Sequence, residues 1–264
     1  MVKKRIIFAL LYLDGYFFLS RNFRLQKVGD IEWLINNFGF GETCHFIDEL
    51  ICLLIKKNPT NEDKKKFFTD INLLRKKFFV PITLGGGIRT LNDAKLFFLN
   101  GADKVMLNSA FYDNILIQDI SHLYGEQSIS VKIDYRKSDN NDERNIFIYG
   151  GTKFKITLSN FIKNYLDIFS YGEIIFNSID QAGSAAGLDM EILKKLPNKT
   201  INPVLLMGGA GKPEHISEAL KTTKVSGLVT ANLFNFLGTG LEVCRKKSLE
   251  NGINLADFGS VKSL

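Results

Sequence analysis

The sequence predicts an α/β protein of the (β/α)8 barrel class, assembled from two fused half-barrels and occupying residues 1–264 as one domain. Three observations carry this expectation. Eight short apolar runs recur along the chain with helical stretches between them, as strands buried on both faces do. Motifs of the first half return in the second at a nearly constant offset. Two of the runs end in glycine-rich turns that open helices, as the strand-to-helix loops of such barrels do.

In chain order the predicted strands are RIIFALL (5–11), ELICLLI (49–55), VPITLG (80–85), KVMLNS (104–109), ISVKID (129–134), EIIFNSI (173–179), PVLLMGG (203–209) and GLVTAN (227–232). The apolar stretch from Ile6 to Leu13 is far shorter than the roughly 18 to 20 residues that cross a bilayer, so it reads as a buried strand. Between strands, LNDAKLFFLN (91–100) and PEHISEALK (213–221) place apolar residues three and four apart, with Asn92 and Lys212–Pro213 as helix starts. Residues 135–158 are polar at first and alternating later, and predict a hairpin inserted after the fifth strand. The repeat aligns Leu84 with Met207 and Ala102 with Val225, each 123 positions apart, and Glu49 with Glu173, 124 apart. The same register sets Leu11 opposite Asp134.

Composition narrows the function classes. With 45% hydrophobic residues, 22 glycines and 5 prolines, the chain is neither disordered nor collagen-like, and 3 cysteines at unrelated spacings fit reduced thiols in the cytoplasm. A net charge of +6 arises from short, scattered basic runs, and no zinc finger, basic helix or aromatic RNA-binding strand is present. This favours an anionic small molecule as partner, with no nucleic acid and no membrane. His45, His122 and His215 do not cluster with other ligands, so no metal and no cofactor is expected.

Glycine lets a backbone approach a ligand, and free N–H groups at a helix start attract a dianion. The repeated turns therefore predict one phosphate site at Gly87, Asn108 and Ser109, and a twin at Gly183, Gly209, Ala231 and Asn232. Between them, proton transfer calls for carboxylates at strand ends. Asp134 ends the fifth run and is the catalytic candidate; Asp180 follows the sixth and is a substrate-side candidate. Leu11, the counterpart of Asp134, can neither accept nor donate a proton.

The strings KRII, DELI, PITLGGGIRT, GADKVMLNSA, VKID, GEIIFNSID, GLD and GGAGKPEH resemble, in order and spacing, the cyclase subunit of imidazole glycerol phosphate synthase over nearly the whole chain. The resemblance implies a barrel that receives ammonia from a glutaminase subunit docked at its N-terminal face, and that uses two strand-end aspartates and two phosphate sites. It implies that Arg5, Glu49, Lys104 and Glu173 form a charged gate for ammonia and that Asp103 contacts the glutaminase. One catalytic aspartate matches Asp134, whereas the other falls on Leu11, and further polar positions fall on Leu19, Leu54 and Ala182. A paralogous branch with a leucine run in place of the first aspartate is similar to ALLYLDG here. That branch is associated with converting acetamido to acetamidino groups on surface-polysaccharide or flagellar sugars. Two alternatives stand beside it: the histidine-pathway cyclase itself, and a non-catalytic scaffold that conducts ammonia and activates the glutaminase.

Overall fold

The computed structural model describes residues 2–21, 24–37, 46–77, 79–139, 142–231 and 240–258. Eight strands run parallel and close into a barrel. These are β1 (Arg5–Leu13), β4 (Glu49–Leu54), β5 (Ile82–Gly85), β6 (Lys104–Leu107), β7 (Ile129–Lys137), β10 (Glu173–Ser178), β11 (Val204–Met207) and β12 (Val225–Thr230), with β12 pairing back onto β1. All eight predicted runs are barrel strands.

The continuous apolar runs divide into two alternating sets, because successive side chains of a strand point to opposite faces. Ile6, Phe8, Leu10 and Tyr12 of β1 belong to a large cluster shared with the helices, while Ile7 and Ala9 belong to a second cluster with Ile51, Met106, Ile175, Leu205 and Val229. The first set seals the helical layer. The second fills the barrel's interior.

Helices are started by side-chain caps. Thr60 and Asp63 form a reciprocal capping box at α2 (Asn61–Arg75), after the short α1 (Ile31–Asn37). Thr90 and Asp93 repeat the device at α3 (Leu91–Leu99), so the cap lies two residues before Asn92. Asp113 caps α4 (Asn114–Tyr124), Thr157 caps α5 (Leu158–Asn164), α6 is the short Ile192–Lys195, and Pro213 opens α7 (Pro213–Lys221). From α8 (Gly240–Glu250), Arg245 donates to the Phe46 and Ala256 carbonyls and to both Asp48 carboxylate oxygens. Lys4 forms an isolated parallel bridge with Leu255.

The half-barrel repeat survives in the pairing register. Ile7 pairs with Glu49 as Ser130 pairs with Glu173, and Leu11 with Leu53 as Asp134 with Asn177. Each half begins with a strand of nine residues whose far end carries an antiparallel hairpin. After β7 the hairpin is β8 (Arg144–Ile148) and β9 (Lys153–Thr157), tied down by the buried Arg144, whose Nε lies 3.1 Å from Asp189. After β1 it is β2 (Tyr16–Arg21) and β3 (Arg24–Gly29), which the sequence analysis does not anticipate. The turn that leads from β1 into it is Asp14–Gly15, with φ of 48° and 86°. Asp-Gly is the pair that a tight hairpin turn with two left-handed residues favours.

Candidate active site

On β7, Val131 and Ile133 pack outward, so Ser130, Lys132 and Asp134 face inward. Asp134 is 1% exposed and is held by three donors. Asn177 Nδ2 lies 2.7 Å and Lys132 Nζ 2.6 Å from its Oδ1, and Asn108 Nδ2 lies 3.2 Å from its Oδ2. Oδ2, with one long hydrogen bond, is the oxygen with capacity left to take a proton. Asn108 also donates to the Lys132 carbonyl at 2.7 Å. Its amide is therefore turned toward Asp134 and its strand rather than toward the turn at Gly87.

The described groups that meet Asp134 come from neighbouring strands. Asn108 follows β6, Lys132 and Asp134 lie on β7, and Asn177 lies on β10, all adjacent strands. Their counterparts through the repeat are Ala231, Ala9, Leu11 and Leu53, on or beside β12, β1 and β4. At these four pairs of positions the repeat thus sets a polar side chain opposite an apolar one. Lys132 and Asn177 are the residues that sequence reasoning missed.

Ser109 Oγ lies 3.3 Å from Asn108 Oδ1 and accepts the Tyr149 N–H at 3.0 Å, which ties the tip of the β8–β9 hairpin to this turn. Gly87 has φ of 70°, and a Cβ there would lie 2.4 Å from Pro59 Cγ. Of the proposed twin site, Gly183, Gly209 and Ala231 share one cleft with Asn177, Met207 and Ser20, the last reaching in from β2. Asn232 lies outside the described residues. Asp180 stands at the rim, accepting the Lys137 N–H at 2.9 Å and pairing with Arg136 at 3.2 Å.

Gly209 has φ of 98°, and a Cβ would stand 2.0 Å from the Gly187 carbonyl oxygen. Gly209→Ala is expected to cost about 1–3 kcal/mol, through a left-handed backbone and a clash that only main-chain movement relieves. A lowered denaturant midpoint at unchanged m-value would show it.

At the opposite end of the barrel, Arg5, Glu49, Lys104 and Glu173 close a ring of alternating charge. Arg5 lies 2.5 Å from Glu49 and 2.8 Å from Glu173, and Lys104 lies 3.0 Å and 3.1 Å from the same two carboxylates. Burial disfavours the Arg5 charge, yet Glu173 and Glu49 outweigh it and hold the guanidinium above its ordinary value. For Glu173 burial again opposes ionisation, and the fields of Arg5 and Lys104 win, holding its carboxyl below the usual range. Asp103, next to Lys104, accepts the Ile82 N–H at 2.7 Å and lines a surface hollow with Phe79, Pro81 and Arg75.

No group of His, Cys, Asp or Glu among the described residues could hold a metal ion, and no helix among them is long and apolar enough to cross a membrane. A parallel eight-stranded barrel with an ionisable cluster and glycine turns at its C-terminal mouth and an ion-pair ring at its floor has the layout of a barrel enzyme. The chain belongs to the histidine biosynthesis protein family, whose model matches residues 47–238. A protein of Parasynechococcus marenigrum, provisionally named imidazole glycerol phosphate synthase subunit hisF2, is 41% identical over 94% of this chain and 91% of its own length. Imidazole glycerol phosphate synthase subunit HisF of Streptococcus mutans is 32% identical, covering 97% of this chain and 100% of that one. The subunit of the same name from Methanocaldococcus jannaschii is 30% identical over 96% and 98%.

Proposed function

We propose that the protein is the ammonia-using synthase subunit of a glutamine-dependent amidotransferase complex, acting on an anionic, phosphorylated or nucleotide-linked sugar whose acetamido group becomes an acetamidino group. A glutaminase subunit supplies the ammonia at the barrel's floor. The observation that carries this reading is selective retention: the floor ring is complete, while Asp134 faces Leu11 across the repeat. Above the ring Ile7, Ala9, Ile51, Ile175, Leu205 and Val229 point inward, none more than 2% exposed, with Lys132 beside Ile175. An ammonium ion would lose its hydration there at a cost of several kcal/mol, whereas neutral ammonia crosses far more cheaply.

In this reading Asp134 takes a proton that ammonia sheds as it adds to the acetamido carbon, and the two protons the nitrogen loses depart with the former carbonyl oxygen as water when the C=N bond forms. Gly87 with Ser109 and the main chain of Asn108, and Gly183 and Gly209 with Ala231 and Asn232, hold the anionic ends, the Asn108 amide being committed to Asp134. Asp180 braces the rim. Exposed Phe79 and Ile201, together with Asp103, offer the partner mixed apolar and acidic contacts at the N-terminal end.

The names of the relatives favour a second reading, in which the chain is the cyclase subunit of the histidine pathway. One assay separates the two. Purified protein with an ammonium salt and the histidine-pathway cyclase substrate is expected to give no imidazole glycerol phosphate. Robust formation of that product would overturn the first reading in favour of the second. A glutaminase partner is expected to bind the chain and to hydrolyse glutamine faster on mixing; no affinity and no change in hydrolysis would remove the amidotransferase reading altogether.

A further inference from the structure

We propose that ammonia crosses the barrel along the inner face of β7, resting first on Ser130 Oγ beside the charged ring and last on Asn177 Oδ1 beside Asp134. Between the two, Lys132 admits the neutral molecule and turns back the ammonium ion. The inference rests on the ammonia-using reading above and adds to it a route, two hydrogen-bonding stations and a charge filter.

The inner face of β7 is polar from the ring to the mouth. Ser130, Lys132 and Asp134 follow one another there, two residues and so about 6–7 Å apart. Their counterparts through the repeat, Ile7, Ala9 and Leu11, are apolar, as are the inward residues Ile51, Leu205 and Val229. At the lower end Ser130 pairs with Glu173 of the ring on one side and with Met106 on the other. It is 0% exposed, and its Oγ has no hydrogen-bond partner. At the upper end Asn177 pairs with Asp134 and with Met207. Its Nδ2 donates to Asp134 Oδ1 at 2.7 Å, which fixes the amide and leaves Oδ1 a buried acceptor with no donor in the protein. A Cβ on Gly208 would stand 3.3 Å from that oxygen, which therefore faces the cleft at Gly208 and Gly209. Buried polar groups left unmet destabilise a fold, so two of them on neighbouring strands mark where a small partner from outside belongs.

Ammonia fits both stations. With three N–H donors and one lone pair it can donate to the Ser130 hydroxyl or accept from it. Higher up it can donate to Asn177 Oδ1 and to Asp134 Oδ2 together, which a hydroxyl, having one hydrogen, cannot do. Its lone pair is then left for the substrate carbon. Lys132 supplies the filter, because the Asp134 charge is already matched by its ammonium at 2.6 Å. An ammonium ion on this route would stand beside a fixed cation, whereas ammonia can accept a Lys132 N–H.

The test is nuclear magnetic resonance on the purified chain with isotope-labelled methionine methyl groups, titrated with ammonium chloride and, as reference, with sodium chloride. Met106 reports the lower station and Met207 the upper one, through their strand pairing. Both methyl signals are expected to shift with ammonium chloride at about pH 9.5, where much of it is neutral ammonia, and the shifts are expected to vanish at about pH 6.5. In Ser130→Val the Met106 response is expected to be lost while the Met207 response stays, and in Asn177→Leu the losses are reversed. Circular dichroism confirms that each variant is folded, and Ser130→Ala replaces the first if valine is not accommodated. No response at the higher pH, equal responses at the two pH values, or responses that survive both variants overturn the proposal. The functional reading is decided apart from it, by glutaminase affinity, so the two can fail separately.

Discussion

Asp134→Asn in the complete complex is expected to lower the rate of product formation by about 100- to 10,000-fold, the usual loss when a positioned proton-transfer group is removed. The amide keeps the size of the carboxyl and its one oxygen can still accept from Asn177, while its NH2 takes the place of Oδ2 and loses the Asn108 bond; the change falls on kcat more than on KM. Lys132 loses its charge partner at 2.6 Å, and part of any loss of stability comes from that. Supplying ammonium directly is expected to rescue nothing, because the step lost lies after ammonia arrives. Steady-state rates with glutamine and with an ammonium salt, run side by side, check both statements. An unchanged rate would make the protein a conduit and Asp134 a brace.

Glu173→Gln is expected to act at the other end of the barrel and with the opposite signature. Its side chain is 4% exposed and binds Arg5 and Lys104 together, so the substitution leaves two cations sharing Glu49 alone. Removing one partner of a buried pair costs about 3–5 kcal/mol; with Arg5 and Lys104 21% and 18% exposed, water screens part of this and about 2–4 kcal/mol is expected. Because the folded-state pKa of Glu173 is depressed, its contribution is fully present above the unfolded value and is lost as pH falls through the folded one. The wild type is thus expected to lose stability in acid that the variant has already lost at neutral pH, and melting curves from pH 7 to pH 3 should converge. Glutamine-dependent turnover is expected to fall well below ammonium-dependent turnover. Equal falls in both would show that the ring is a structural closure only.

The eight strands were legible because a parallel strand covered on both faces must be apolar throughout, and short runs bounded by glycine and polar residues have few other readings. The repeat was legible for a related reason. Two halves that close one barrel must keep one register, and the register leaves its spacing in the sequence. The β2–β3 hairpin carried a signal in Asp14–Gly15, the turn from β1 into β2, but YFFLSR and RLQKVG alternate only weakly, and β3 exposes its first four residues, Arg24 to Lys27.

Lys132 and Asn177 were hidden for a different reason. A single polar residue inside an apolar run has no face until the barrel closes; only the pairing of Lys132 with Ile175 and of Asp134 with Asn177 turns both inward. The glycine turns show the reverse limit. Gly209 is required by its own backbone conformation and by the Gly187 carbonyl, so its presence in sequence signals a turn as strongly as it signals a ligand.

The bridge between Lys4 and Leu255 has a kinetic meaning. The described chain ends meet there, and the neighbouring β12–β1 pairing is the seam at which the cylinder shuts. Every other adjacent pair in the ring joins consecutive barrel strands, whereas the seam waits for nearly the whole chain. Local pairings precede distant ones when loop closure sets the order, so the seam is the last joint to form and the first to part. A ring so built has no privileged first strand: its halves could be read in either order, and the seam would simply move to wherever the chain was cut.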